Sequence, residues 1–134
     1  MVQVISTKYI WMDGKMVPWD KAKIHILTHS LHYGSAVFEG IHSYKTNDGT
    51  IIFRLNEHIE RFFKSANAMS MNLRFTKEQL KTAIKKLIKI NNLSDAYIRP
   101  LAYNGYGNIG GFPKDVPTNI TLIAIPWSHY YSKD

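Results

Sequence analysis

Two adjacent helical periods, with strand-like runs on both sides of the pair, constrain the fold of this 134-residue chain most. From Glu57 to about Met69, the residues Ile59, Phe62, Phe63, Ala66 and Met69 recur on one helical face. From Thr76 to about Ile90, Leu80, Ala83, Ile84, Leu87 and Ile88 do the same. Asn56 is placed to cap the first helix, with Glu57 at the positive end of its dipole. Thr76 and Gln79 have the capping-box spacing for the second, and Asn91-Asn92 stops it. Strands surround the two helices without regular βαβ alternation. The expected fold is α+β in two layers, with two helices on one face of a mostly antiparallel sheet.

The strand signals agree. Tyr9-Ile10-Trp11-Met12 and Lys15-Met16-Val17-Pro18 flank Asp13-Gly14, a two-residue hairpin turn. Pro18 ends the second of these strands or sets it at an edge. Lys23 to Leu27 alternates and reads as a short extended piece. Ala36 to Tyr44 reads as a strand, Asn47-Asp48-Gly49 as a turn, and Thr50 to Arg54 as the returning strand. Ala96 to Tyr103 is strand-like, and Gly105 to Pro113 is a glycine-rich loop. Asn119 to Pro126 is nearly all apolar, so it belongs at the centre of the sheet. No internal boundary or repeat interrupts the chain.

Composition narrows the classes. A domain of this length buries roughly 68% of its unfolded surface and can own a core. No cysteine is present, which excludes disulfides and thiolate metal sites and accords with a cytoplasmic setting. No apolar run approaches the ~20 residues needed to span a bilayer, and Met1 to Lys8 has no apolar signal core. The net charge of +7 invites a nucleic-acid reading. Its placement argues against one: Lys77, Lys81, Lys85 and Lys89 recur every fourth residue, opposite the apolar stripe, as a solvated face does.

Several residues have the chemistry of a site. Between Thr28 and Tyr44 the chain spends polar and aromatic residues and two glycines, Gly34 and Gly40, where a core strand would not. His25, His29 and His32 are close in sequence, but no helix signal surrounds them and no third ligand type lies near, so no metal is expected. Arg61 has two readings: a helix-flank stem with its head in water, or a guanidinium fork gripping phosphate. Arg99, within Tyr97-Ile98-Arg99-Pro100-Leu101, either points outward from an edge or faces an anion. The loop Gly105 to Pro113 lacks the ending of a P-loop; it is either a phosphate cradle or a mobile substrate loop.

Three motifs occur in order: Ser30-Leu31-His32-Tyr33-Gly34 with Val37-Phe38-Glu39-Gly40-Ile41; Phe53-Arg54-Leu55 with Glu57-His58 and Arg61; and Tyr97-Ile98-Arg99-Pro100-Leu101. Together they resemble the N-terminal region of branched-chain amino-acid aminotransferases, which are fold-type IV, or class IV, pyridoxal-phosphate enzymes. The likeness runs from Tyr9 to Trp127. D-amino-acid aminotransferases and aminodeoxychorismate lyases usually carry Asp-Arg-Gly and Gly-Asp-Gly style segments in place of His32-Tyr33-Gly34 and Phe38-Glu39-Gly40.

The resemblance implies that residues 1–134 form the small N-terminal domain of such an enzyme. It implies that Arg61 grips the phosphate of pyridoxal 5'-phosphate, and that Phe38 and Tyr130 line a pocket for an aliphatic side chain. Gly40 lets the backbone approach the substrate, and Tyr97 and Arg99 hold its α-carboxylate. Tyr33 and the loop Gly107 to Gly111 reach into the neighbouring subunit's site, so a homo-oligomer of at least two copies is expected. The Schiff-base lysine and the acid facing the pyridine nitrogen belong to a C-terminal domain absent from this chain. The chain alone is therefore expected to bind the cofactor weakly or not at all and to be inactive.

As a whole enzyme it would exchange amino groups between leucine, isoleucine or valine and 2-oxoglutarate. Partners would be the missing domain and small amino and 2-oxo acids, without nucleic acid or membrane. A related class IV transaminase or lyase, or a non-catalytic binding or dimerisation module, are the competing readings. Two departures from the family stand out. His42 replaces the usual Arg or Lys, and Gly110-Gly111 replaces a Gly-Val type pair, which loosens the loop.

Overall fold

The computed structural model describes residues 4–113 and 115–127. Seven strands form one sheet: β1 (Tyr9–Met12), β2 (Lys15–Pro18), β3 (Ala36–Phe38), β4 (Ile41–Thr46), β5 (Gly49–Ile52), β6 (Ala96–Asn104) and β7 (Thr118–Pro126). Their order is β2-β1-β7-β6-β4-β5, with β3 also on β6, and each pairing is antiparallel. The helices are α1 (His29–Tyr33), α2 (Leu55–Ala68) and α3 (Lys77–Ile90). β7 sits between β1 and β6, the central place its apolar sequence predicts.

The core lies between the sheet and the helix pair α2–α3. Ile59, Phe62 and Ala66 of α2 and Leu80, Ile84 and Leu87 of α3 are buried with Ile41, Ile98, Ala102, Ile120, Leu122 and Ala124 of the sheet. Each fully buried large aliphatic or aromatic side chain contributes about 1.5–3 kcal/mol. The expected two-layer α+β architecture is what forms. Alternation then fixes the opposite face: Ile98, Pro100 and Ala102 of β6 are buried under the helices, while Tyr97, Arg99 and Leu101 are half-buried on the other side.

Local signals work as read in two places. Asp13 and Gly14 both take positive φ, 46° and 97°, which a twisted two-residue hairpin turn requires. The Thr76 hydroxyl accepts from the Gln79 backbone N–H at 3.1 Å, and the Gln79 side chain accepts from the Thr76 N–H at 2.8 Å.

Elsewhere the structure differs. The first long helix begins at Leu55, not beyond Asn56, and Arg54 stands at its N-cap in the left-handed region with no side-chain cap. Asn56 instead accepts from the Lys81 ammonium at 3.0 Å. β5 ends at Ile52 rather than Arg54, because Arg54 turns to φ 49°. Residues 23–27 form no strand; a turn there leads into α1. That helix of five residues is too short to show a period, and Gly34 ends it at φ 68°.

The expected strand Ala36 to Tyr44 is divided into β3 and β4. The register does not slip: Phe38 faces Leu101 and Ile41 faces Ile98, leaving two residues between on each side. Glu39 therefore faces Pro100, and its N–H donates to the Pro100 carbonyl at 3.0 Å. Pro100 has no N–H to return, so the ladder opens at Glu39-Gly40.

The lysine face of α3 is partly tied to neighbouring acids and amides. Lys77 lies 2.7 Å from Glu60 of α2, and Lys81 contacts Glu78.

Candidate functional site

β6 positions the centre of the site. Tyr97 and Arg99, two residues apart, point to the same face of the sheet. The Tyr97 hydroxyl accepts from Arg99 Nε at 3.1 Å and from Nη2 at 2.6 Å. With its oxygen accepting twice, the phenol has its proton left to give outward. The Arg99 guanidinium also lies 4.3 Å from the Phe38 ring centroid. Phe38 itself is 58% exposed, so an apolar wall stands open beside a cation.

Gly40 completes this surface. A Cβ there would come within 2.9 Å of the Tyr97 hydroxyl oxygen and 3.3 Å of its ring. Only glycine leaves that phenol its place over the strand. On the same face the His42 ring lies 5.5 Å from Tyr97 and 4.9 Å from Trp127, edge to face with both. Arg99 is thus not an edge residue. β6 is flanked on both sides, and Pro100 is tolerated because its missing donor falls at the β3–β4 opening.

Across the strand, one residue earlier, Glu39 points the opposite way, into the helix layer. It is 3% exposed, and Arg61 of α2 meets it with Nε at 2.6 Å and Nη2 at 2.7 Å. His58, one turn before Arg61, donates from Nδ1 to Glu39 Oε2 at 2.9 Å. Burial pushes the Glu39 carboxyl up, but the hydrogen bonds and charges of Arg61 and His58 outweigh it and hold its pKa below 4.5. The same partnership raises the pKa of Arg61. Arg61 is not a plain helix-flank residue: its inner edge is spent on a buried acid, while the side chain stays 67% exposed. Nη1 makes no hydrogen bond to the described residues.

The remaining expected residues lie together at another end. Tyr33, 44% exposed, closes α1 and packs its ring 4.5 Å from His29. His29 is buried, and its Nε2 donates to the Gly110 carbonyl at 2.8 Å, so its Nδ1 accepts from Ser35 at 3.1 Å. This imidazole ties α1 to the loop that carries Gly111. Phe112, next to Gly111, is 92% exposed. Ile26, Leu31, Tyr106 and Ile109 add to an open apolar surface. Tyr130 lies outside the described residues.

The three histidines do not converge on an ion. His25 Nδ1 accepts from the Leu27 N–H at 3.0 Å, and His32 Nε2 donates to the Ile26 carbonyl at 2.8 Å. Among the described residues, no three His, Cys, Asp or Glu side chains gather as metal ligands. Nor is any helix among them long and apolar enough to cross a membrane.

The sequence motifs contain Glu39 and His58 without assigning them a site role, and His29 enters there only as a candidate metal ligand. A signal for Glu39 was present. It has the parity of Val37, Ile41 and Ser43, the inward face of the strand, where an unpaired acid is costly.

Comparison with known proteins agrees with this fold. The family model for class IV amino-transferases matches residues 36–134. Branched-chain-amino-acid aminotransferase of Pseudomonas aeruginosa is 38% identical over 125 residues, covering 93% of this chain and 41% of that protein. The Escherichia coli K12 enzyme of the same name is 40% identical over 123 residues, covering 91% and 40%. The crystal structure of the Escherichia coli enzyme superposes with a TM-score of 0.89 at 39% identity, over 91% of this chain and 41% of that one. The enzyme from Thermobaculum terrenum, solved in its PLP-form, gives 0.83 at 32% identity, over 96% and 43%. The chain spans about two fifths of the length of the curated relatives it matches. It belongs to the class IV aminotransferase family.

Proposed function

We propose that this chain is the N-terminal, substrate-reading part of a branched-chain amino-acid transaminase that uses pyridoxal 5'-phosphate. The observation that carries the reading is the Tyr97–Arg99 pair beside the exposed Phe38 ring. An amino acid with an aliphatic side chain needs a donor-rich site for its carboxylate and an apolar wall for its side chain. Tyr97 and Arg99 offer the first, and Phe38 the second. Gly40 leaves the Tyr97 hydroxyl its place over the strand, beside the ligand. Tyr130 would extend the apolar wall.

The chemistry of Arg61 fits a phosphate. A phosphate ester only accepts hydrogen bonds, and Arg61 keeps Nη1 and an exposed outer edge to donate them. The cofactor, when bound, supplies an electron sink for the α-carbon of the amino acid. The lysine that holds it and moves the α-proton, and the acid facing its ring nitrogen, lie by this reading outside residues 1–134. This chain's share is to bind, orient and exclude water.

The open apolar surface around Ile26, Leu31, Tyr33 and Phe112 suits a second copy of the protein. Tyr33 and Gly111 would then complete the neighbouring site. A homodimer in the cytoplasm is the setting this implies.

An amino-donor screen of the full-length protein tests the reading. Leucine, isoleucine and valine should be consumed with 2-oxoglutarate and added cofactor, while the pure 134-residue chain should give no turnover above free cofactor. Turnover by the verified chain alone, or a full-length protein indifferent to branched-chain donors, overturns it.

A further inference from the structure

We infer that Glu39 is the positioning residue for Arg61, and that His58 steadies Glu39, so that the outer edge of the guanidinium is aimed before any phosphate arrives. The inference rests on the proposed cofactor role of Arg61 and adds what holds it.

The geometry carries it. An arginine on an exposed helix face samples many rotamers, and fixing it costs up to about 2 kcal/mol of side-chain entropy. Here Nε and Nη2 both meet Glu39, at 2.6 and 2.7 Å. Two parallel bonds fix the plane of the guanidinium as well as its distance. Nη1 and the second proton of Nη2 are then left on the side away from Glu39.

Glu39 is in turn held from several sides. It sits on the strand between β3 and β4, its backbone N–H is bound to Pro100, and it is 3% exposed. His58 fills Oε2 from the preceding helical turn at 2.9 Å. The groups facing this carboxylate are therefore Arg61 and His58, both from α2, and no other charged side chain among the described residues pairs with it. A buried carboxylate in an otherwise apolar strand is costly, and a helix-flank arginine needs no such partner to be stable in water. The pair makes sense as a device for aim. It also places Gly40, the next residue, under Tyr97, so one dipeptide orients groups on both faces of the sheet.

The test separates aim from charge and from folding. In the full-length protein, dissociation constants are measured for pyridoxal 5'-phosphate and for pyridoxal, which lacks the phosphate. Glu39→Asp keeps the charge but withdraws the carboxylate by one methylene. It should cut the preference for the phosphorylated form about tenfold, the scale of one lost charge-assisted bond, and leave pyridoxal affinity unchanged. His58→Ala, at a more exposed position, should do the same to a smaller extent and guards against a misfolded aspartate variant. In nitrogen-resolved NMR, the Arg61 Nε–H signal should be slow to exchange in the phosphate-free protein, fast in Glu39→Asp and intermediate in His58→Ala. Arg61→Ala should abolish most of the phosphate preference. If it does not, the cofactor role of Arg61 fails. If it does, but Glu39→Asp and His58→Ala keep the full preference, only the positioning inference fails. A Glu39→Gln protein that prefers the phosphate more than the parent would mark Glu39 as its competitor and also overturn the inference. Equal losses for both ligands would mark Glu39 as structural and overturn it as well.

Discussion

The Tyr97 hydroxyl stands 2.9 Å from where a Cβ on Gly40 would be, so the phenol keeps this place only over a glycine. The pairing links the strand opening at Glu39-Gly40 to the orientation of Arg99, which bonds that same hydroxyl.

Gly40→Ala should therefore push the phenol aside and cost roughly 1–3 kcal/mol of stability, the range for overpacking. Tyr97→Phe removes the atom in closest conflict, so the alanine should cost less in that background. Urea unfolding of the two single variants and the double variant measures the coupling. Strict additivity would show that the two residues do not contend for the same space.

Arg99→Ala in the full-length protein should lower kcat/KM for leucine and leave the absorption spectrum of the bound cofactor in place. Arg99→Lys keeps the charge but loses the planar fork that bonds Tyr97, so it should rescue only in part. The decisive comparison is leucine against an amine without a carboxylate. Equal damage to both would make Arg99 structural.

Acid should reveal the Glu39 cluster. Its folded pKa lies below 4.5, so as pH falls the unfolded chain takes up that proton first. The stability it contributes is complete above the unfolded value and is lost as pH falls through the lower, folded one. In Glu39→Gln this component is missing, and the acid limb should be flatter. Glu60 is also lowered, but it is unchanged in the variant. Unfolding at about pH 6 and about pH 3.5 gives the comparison; equal losses in parent and variant would contradict it.

Thr76→Ala should destabilise the domain by about 1 kcal/mol, because it removes a formed cap. Asn56→Ala should change stability by less than about 0.5 kcal/mol, because Asn56 lies on the surface and caps nothing. Thermal or urea unfolding distinguishes the two sites. A larger loss at Asn56 would argue that it caps α2 after all.

The local elements were legible in the residues themselves. The Asp13-Gly14 turn, the Thr76–Gln79 box and the apolar stripes of α2 and α3 are each written in short stretches of chain. Such signals survive because they depend on neighbours a few residues away. The three-part likeness leads us to expect Phe38, Gly40, Tyr97 and Arg99 in one site, and strand parity alone puts the last two on one face.

What only the tertiary structure decided is which distant groups meet. Arg61 reaches Glu39 across 22 positions, and His29 reaches Gly110 across 81. The opening between β3 and β4 depends on Pro100 falling opposite Glu39, a matter of register between strands some sixty residues apart. The five-residue helix at His29–Tyr33 had no period to display. Arg54 stands at the cap that Asn56 was expected to hold, and the Asn56 amide oxygen accepts from Lys81 of α3 instead. Periodicity says which face of an element is buried, but not what stands opposite it. That is settled when the sheet fixes its register and the helices dock, since burial then makes each unpaired charge or donor costly and leaves few arrangements that pair them all.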